Sequence, residues 1–425
     1  MKKNPKKRKQ KKHRVVVQKK FFKVITREEA LSRFANISRT DTEKVKVQDS
    51  LGRISAFKVH SSCNVPNFDR STMDGYAVIA EDTFSATETS PVSLDLMGEV
   101  LMGHETKMGI DQSETVSIPT GGMLPKGANA VVMIEYIKKN KNEIQVRRSV
   151  APGENVAKTG SDIKKGNVLI ETGKKIKPQN IGALSACGIT EIEVFKKPLV
   201  SIISTGDELV LPQREPKPGQ IRGINTYTLY TMIKKYGGKP INLGIVKDSL
   251  DELKTSIEKG LSLSDIVVIS GGSSVGVKDI TLECISSFDN SRIFANGIAL
   301  KPGKPTILAE IGGKPVIGLP GHPVSCMVIF YLMVRPIIFK MLSYKEEYPE
   351  RKFLRAKISV NVPSVSGREE YIRVSLKELG GEIWAEPVPG GSGIISSLSK
   401  SDGLVRIDLE SEGIEKGKIV EVIII

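Results

Sequence analysis

The sequence predicts a multidomain α/β protein, and three observations carry that expectation. Between residues 199 and 340, buried strands alternate with amphipathic helices, the pattern of a parallel sheet covered by helices. Ahead of it, from Val92 to about Ile170, short β segments are separated by turn clusters such as Gly121-Gly122 and Pro152-Gly153. Beyond residue 345 the remaining periodic segments all read as strands, so a small terminal β-barrel is expected. The length of 425 residues leaves room for roughly two to four domains.

The first twenty residues hold eleven Lys and Arg and no Asp or Glu, which predicts a self-repelling, disordered basic tail. Thr26-Arg27-Glu28-Glu29 has capping-box spacing, and Ala30, Leu31, Phe34 and Ile37 follow at helical spacing. In the β-rich stretch, Val131 to Ile134, Glu143 to Val146 and Val168 to Ile170 are the strand candidates. A helix is expected from Pro178 to Cys187, with Pro at its first position and Gly188 as the left-handed cap, then a strand from Glu191 to Phe195. In the α/β region the expected strands are Leu199 to Ser204, Ile241 to Ile245, Asp265 to Ser270 and Val316 to Leu319. The expected helices are Asn225 to Tyr236, Ser249 to Lys259, Asp279 to Ser287 and Pro323 to Ile338. The barrel candidates are Leu354 to Val362, Tyr371 to Leu376, Ile383 to Pro387, Leu404 to Leu409 and Ile419 to Ile425.

Composition describes an ordinary globular chain, with 39% hydrophobic, 26% charged and 5% aromatic residues. The net charge of +15 suggests a polyanion binder until its distribution is considered. Setting the eleven tail cations aside leaves 52 basic residues against 48 acidic ones, a net of +4. The tail has no aromatic residue before Phe21, so base stacking is not expected, and weak nonspecific contact with nucleic acid is the alternative to a merely solvated segment. The longest unbroken apolar run, Cys326 to Val334, is half what a bilayer span needs, and no secretory signal follows the basic start. Four scattered cysteines and four scattered histidines predict neither a zinc site nor a disulfide framework, which fits a cytoplasmic protein.

Chemistry-bearing residues gather where the α/β strands end, the place where such sheets bind ligands. Thr205-Gly206-Asp207-Glu208 brings a hydroxyl and two carboxylates, suited to a divalent metal or else to capping a turn. Gly271-Gly272-Ser273-Ser274-Val275-Gly276 precedes Asp279 and has the glycines and hydroxyls of an anion cradle, although it matches neither a Walker A loop nor a dinucleotide fingerprint. Lys301-Pro302-Gly303-Lys304-Pro305 presents two ammonium groups on a segment stiffened by proline. Pro320-Gly321-His322-Pro323-Val324-Ser325 leads into a helix whose first-turn amides attract oxyanions. Earlier, Asn67 to Ala77 is polar and irregular, and its Asp69 and Asp74 either bind a ligand or brace their own loop. Together these loops argue for an enzyme acting on an anionic substrate.

The same segments resemble the molybdopterin molybdenumtransferase family, that of the MoeA proteins and the E domain of gephyrin. Six motifs occur in the family's order: Asp-x-Ser-x-Met-Asp-Gly-Tyr-Ala at 69–77, Pro-Thr-Gly at 119–121, Ser-Thr-Gly-Asp-Glu-Leu at 204–209, Gly-Gly-x-Ser-Val-Gly at 271–276, Lys-Pro-Gly-Lys-Pro at 301–305 and Gly-Leu-Pro-Gly-x-Pro-Val-Ser at 318–325. The resemblance implies a homodimer whose chain, after the tail at 1–20, has four domains. These are a discontinuous, mainly helical and extended dimerisation domain (22–65 with 176–198), an inserted β-rich domain (66–175), a molybdopterin-binding α/β domain (199–345) and the C-terminal barrel (346–425).

It further implies the last step of molybdenum cofactor synthesis, in which molybdate enters the dithiolene of adenylylated molybdopterin and Mg²⁺-dependent cleavage releases AMP. A tungstate-inserting homologue or a gephyrin-like oligomeric scaffold are the alternatives, and a protein supplying the adenylylated pterin is an implied partner. By motif match, Asp279, Glu208, Asp162, Asp248, Lys301 and Lys304 are the catalytic candidates, with Asp279 and Glu208 on the metal. Asp69, Asp74, Thr120, Gly271, Gly272, Ser274, Gly276, Pro320 and Pro323 are the substrate-binding candidates. Lys304, Pro305, Ser325, Arg368 and Ser396 are those for molybdate. Ser273, Val277, Gly223-Ile224 and His322 depart from the family pattern, His322 standing where the family usually has Asn.

Overall fold

The structure, a computed structural model, describes residues 24–271, 275–345 and 353–425, with backbone alone for 275–279. The basic tail expected over residues 1–20 lies outside the described residues. The described chain divides into two units, one formed by 41–196 with 343–345 and the other by 24–40, 197–342 and 353–425.

In the first of these, Thr42–Lys46 pairs antiparallel with Glu191–Phe195, and Val59–His60 with Val168–Ile170. The helix Pro178–Ala186 starts on its proline and stops before Gly188 at φ +71°. Val47, Ile170, Ile176, Leu184, Ile192 and Val194 share one core, so segments before and after the β-rich stretch fold together. The β-rich stretch itself forms a six-stranded sheet in the order Ala130–Met133, Gly75–Val78, Glu114–Ile118, Val92–Glu99, Glu143–Val146, Ile137–Asn140. Strand side chains alternate between faces, so Tyr76, Val78, Ala130 and Val132 enter one core while Ala77 and Val131 enter another. A fully buried strand can therefore be apolar without a break.

In the second unit, the expected capping box is present: the Thr26 hydroxyl accepts from the Glu29 amide, and the Glu29 carboxylate accepts from the Thr26 amide. The helix it starts is short, Arg27–Ser32. The α/β sheet runs in the order Lys239–Val246, Leu199–Thr205, Ile266–Gly271, Lys314–Leu319, Ile307–Ile311, Ser291–Asn296. Its first four strands are parallel, but the last two pairings are antiparallel, so the expected all-parallel sheet is mixed. The extra strands come from a hairpin turning on Gly312-Gly313, at φ +56° and +80°, and from the half-polar segment Ser291–Asn296. Leu199–Thr205 sends its chain first to one neighbour and later to the other, which makes the crevice between Thr205 and Gly271 the topological switch point.

Two helix boundaries near the strand ends moved. The helix expected from Asp279 begins at Val275, so Gly276 belongs to the helix Val275–Ser286 rather than to the loop before it. Gly272 and Ser274, and the side chain of Asp279, are outside the description. The helix entered at Pro323 continues to Met341 and is long and apolar enough, by composition, to cross a bilayer, but 72% of its apolar window is buried inside the protein. It is a core helix. A π turn at Phe330–Val334 interrupts it where Pro336 cannot donate to the Leu332 carbonyl. The C-terminal strands close as a five-stranded barrel, Glu369–Leu379, Glu382–Pro387, Phe353–Ile358, Ile419–Ile424, Gly403–Ile407 and back to the first. Leu300–Lys301 is added beside its first strand.

Candidate active site

At the carboxyl ends of the central strands a cavity of about 390 Å³ opens, lined by Thr205, Glu208, Asn225, Ser270, Gly271, Gly321, His322, Pro323 and Gly393 among others. Its floor needs glycine: a Cβ on Gly271 would stand 2.3 Å from the Thr205 carbonyl oxygen, so no side chain fits between the two strands there. The Thr205 hydroxyl donates to Asp248 Oδ1 at 2.7 Å, and the Asp248 amide donates to Asp207 Oδ1 at 3.3 Å. Asp207 and Asp248 thereby tie the loops after two adjacent strands, while Glu208 is exposed on the cavity with no side-chain partner among the described residues.

Asn225 ties together the ends of two strands. Its Nδ2 donates to Ser270 Oγ and to the Gly321 carbonyl, both at 2.8 Å. A carbonyl only accepts, so this contact fixes which side of the amide is nitrogen. Oδ1 is then left buried without a hydrogen-bond partner among the described residues, in a side chain whose residue lines the cavity. An orphaned buried acceptor costs about 1–3 kcal/mol unless a donor reaches it.

The two lysines of the 301–305 segment differ. Lys301 lies in the strand added to the barrel, where its Nζ pairs with the buried Glu370 carboxylate at 2.7 Å. Lys304 is exposed and has no ion-pair or hydrogen-bond partner for its ammonium among the described residues. The turn between them rests on the long helix, because a Cβ at Gly303 (φ +121°) would fall 2.3 Å from Ile329 Cδ1. The parallel pairing of Leu300 with Glu369 puts Arg368, the preceding residue, opposite Ala299, and Arg368 Nε is buried without a hydrogen-bond partner among the described residues. On the neighbouring rim, the Val324 amide donates to the Ser392 carbonyl at 3.1 Å, which links the turn before Ser325 to the loop before Ser396.

These sequence segments match three family descriptions: "MoeA N-terminal region (domain I and II)" over residues 25–188, "Probable molybdopterin binding domain" over 201–340 and "MoeA C-terminal region (domain IV)" over 355–425. The chain belongs to the MoeA family. It is 33% identical to a molybdopterin molybdenumtransferase of Nostoc over 91% of this chain and 89% of that one, and 31% identical to one of Bacillus subtilis over 94% and 93%. The crystal structure of a molybdopterin biosynthesis MoeA protein of Pyrococcus horikoshii superposes with a TM-score of 0.82 at 34% identity, covering 95% of this chain and 100% of that one.

Of the residues expected at the MoeA site, Glu208, Gly271 and Pro323 line the cavity, and Asp248 stands one hydrogen bond behind it on Thr205. Pro320 ends the strand before it, and Pro305 follows the unpaired Lys304. Asp69, Asp74, Thr120 and Asp162 stand on the 41–196 unit. There the carboxylates brace their own loops. Asp69 accepts from the Thr159 amide and hydroxyl, both at 2.8 Å, and from Lys158 Nζ at 2.9 Å. Desolvation works against ionisation of Asp69, but those bonds outweigh it and hold the carboxyl below its usual range. Asp74 accepts from the Thr120 amide at 2.7 Å and hydroxyl at 3.0 Å, and these bonds hold it low as well. Asp162 is exposed, with no side-chain partner among the described residues. Sequence reasoning missed Asn225, whose partners lie 45 and 96 residues away. It also missed Arg373, which donates to the Gly390 carbonyl from a desolvated position that lowers its pKa.

Proposed function

We propose that this MoeA protein is a molybdenum insertase, converting adenylylated molybdopterin and molybdate to molybdenum cofactor and AMP. The observation that carries the proposal is the pair of buried polar atoms left without partners among the described residues, Asn225 Oδ1 at a residue lining the cavity and Arg368 Nε just before the barrel strand that pairs with Leu300–Lys301. One asks for a donor, as on a pterin edge, and the other offers a proton to an oxyanion.

In this reading Asn225 orients the heterocycle, and the Lys304 ammonium and Arg368 guanidinium hold the molybdate dianion. Ser325 and Ser396 are further donors to it. Charge-assisted bonds of this kind are shorter and stronger than neutral ones. Lys301, balanced by Glu370, sets the position of the segment that carries Lys304. Gly271 lets the substrate approach the strand ends closely, and Thr205 keeps Asp248 aimed at the same edge.

Among the described residues, no group of three or more His, Cys, Asp or Glu side chains converges to hold a metal ion. Mg²⁺ at phosphate sites takes one or two carboxylates and completes its shell with water and substrate oxygens, and the exposed Glu208 carboxylate on the cavity suits that role. Glu208 would hold it, with Asp279 where the family motif puts its acid, and the ion would neutralise charge on the phosphoanhydride. The proposal includes a homodimer working in the cytoplasm and receiving its pterin from a partner enzyme.

The test mixes purified protein with adenylylated molybdopterin, molybdate and Mg²⁺, then follows AMP release and reactivation of a cofactor-free molybdoenzyme. Both should exceed background, and absence of both would overturn the proposal. Light scattering after gel filtration should give twice the chain mass.

A further inference from the structure

We propose that His322 is a positioning residue that grips the Gly390–Ile394 loop and so fixes Ser396 as a donor to molybdate, an inference that rests on the insertase reading above. The loop runs Gly390-Gly391-Ser392-Gly393, and three glycines in four positions give it little order of its own. Its conformation must come from outside contacts. The Arg373 guanidinium holds the Gly390 carbonyl. Two residues on, Ser392 is gripped at both ends from the Pro-Gly-His-Pro turn: His322 Nδ1 meets its hydroxyl at 2.8 Å, and the Val324 amide donates to its carbonyl at 3.1 Å.

The grip is mechanical rather than a titration device. A hydroxyl both donates and accepts, so the bond to Nδ1 survives whichever tautomer the ring adopts, and a protonated ring still donates. What the imidazole supplies is reach. Nδ1 is bonded to Cγ, the same place that an asparagine amide presents its oxygen or nitrogen, so Asn at this position can make the same contact and an aliphatic residue cannot. His322 lines the cavity together with Gly393, and four residues after Ser392 comes Ser396, exposed, its hydroxyl without a partner among the described residues. Ser396 stands in the first turn of the short helix Ile395–Ser399, so loosening Ser392 would loosen the entry to that helix and with it the placing of Ser396. The oxyanion would lose one donor held in place, while its cations, on other segments, stay where they are.

The experiment titrates molybdate alone into the full-length protein by calorimetry, for the wild type and for His322→Leu, His322→Asn, Ser392→Ala and the His322→Leu/Ser392→Ala double variant. Circular dichroism checks that each is folded. His322→Leu and Ser392→Ala should each weaken binding about 3- to 10-fold, the worth of one hydrogen bond. The double variant should be no worse than either single one, and His322→Asn should bind within about twofold of wild type. Equal binding by wild type and His322→Leu would overturn the inference while leaving the insertase reading intact. Additive losses, or no rescue by Asn, would also overturn it. No binding by the wild type would overturn both.

Discussion

The Lys301–Glu370 ion pair should respond very differently to loss of its two partners. The Glu370 side chain is 9% exposed and that of Lys301 47%, so the carboxylate is committed to the interior while the lysine has water within reach. Both carboxylate oxygens are satisfied, Oε1 by Lys301 at 2.7 Å and Oε2 by the Ser364 hydroxyl at 2.8 Å. Lys301→Met removes the cation and strands a buried charge that keeps only the serine. For fully buried pairs that costs about 3–5 kcal/mol, and the half-exposed lysine brings the expectation here to about 2–4 kcal/mol. Glu370→Gln keeps an acceptor for Lys301 and returns the unbalanced ammonium to solvent, for about 0.5–1.5 kcal/mol. Trp384, the chain's one tryptophan, sits on the barrel strand Glu382–Pro387, so its fluorescence in urea isolates the transition of the domain that holds Glu370. A Glu370→Gln barrel as unstable as the Lys301→Met barrel, or more so, would refute the reasoning.

Three other outcomes follow from the same structure. Asn225→Asp should lower pterin affinity at least tenfold and destabilise the α/β unit by about 1–3 kcal/mol, because a carboxylate oxygen would face the Gly321 carbonyl where Nδ2 now donates; thermal melts and pterin titration measure both. Burial pushes the thiols of Cys326 to about 12 and Cys284 to about 11, and Cys187 is buried too, so mass spectrometry after native alkylation at pH 8 should find one adduct, on Cys63, and four after denaturation. Because the Asp69 and Asp74 carboxyls are held below their usual range, their contribution to the 41–196 unit is complete above the ordinary Asp value of about 3.9 and is lost as pH falls through the lowered folded values. Wild type and Asp69→Asn/Asp74→Asn should thus differ in stability by a constant amount from pH 8 to 5 and converge in stronger acid.

Local rules made much of this fold legible. Thr26 and Glu29 announced their capping box because it needs only four neighbouring residues, and Gly188 announced its cap because αL geometry is a property of one residue. Leu199–Thr205 and Ile266–Gly271 stood out because strands buried on both faces are apolar throughout. Ser291–Asn296 was hidden by its polar half, and Ile307–Ile311 by the prolines and glycines around it, although Gly312-Gly313 is a hairpin signal. The start of the helix at Val275 was obscured by the glycines before it.

Residue types at the site were legible as motifs, but their assignments were not. Nothing local tells that Lys301 is matched by Glu370 and Lys304 is not, since the difference arises from a strand pairing 69 residues apart. Asp69 and Asp74 were ambiguous between ligand and brace, and their bonds to Thr159 and Thr120 make them braces in the unit that holds them. Asn225 matters because of an atom left over after two bonds are made, which only the assembled sheet reveals.

The central claim is that molybdate insertion and adenylate cleavage occur together on this chain. A single-turnover experiment with excess protein, limiting adenylylated molybdopterin and Mg²⁺ tests it most directly by counting AMP released and molybdenum retained on the pterin. One AMP per molybdenum, with release dependent on molybdate and lost in Lys304→Ala, is the predicted result. AMP release that proceeds equally without molybdate, or no release at all from the wild type, would contradict it.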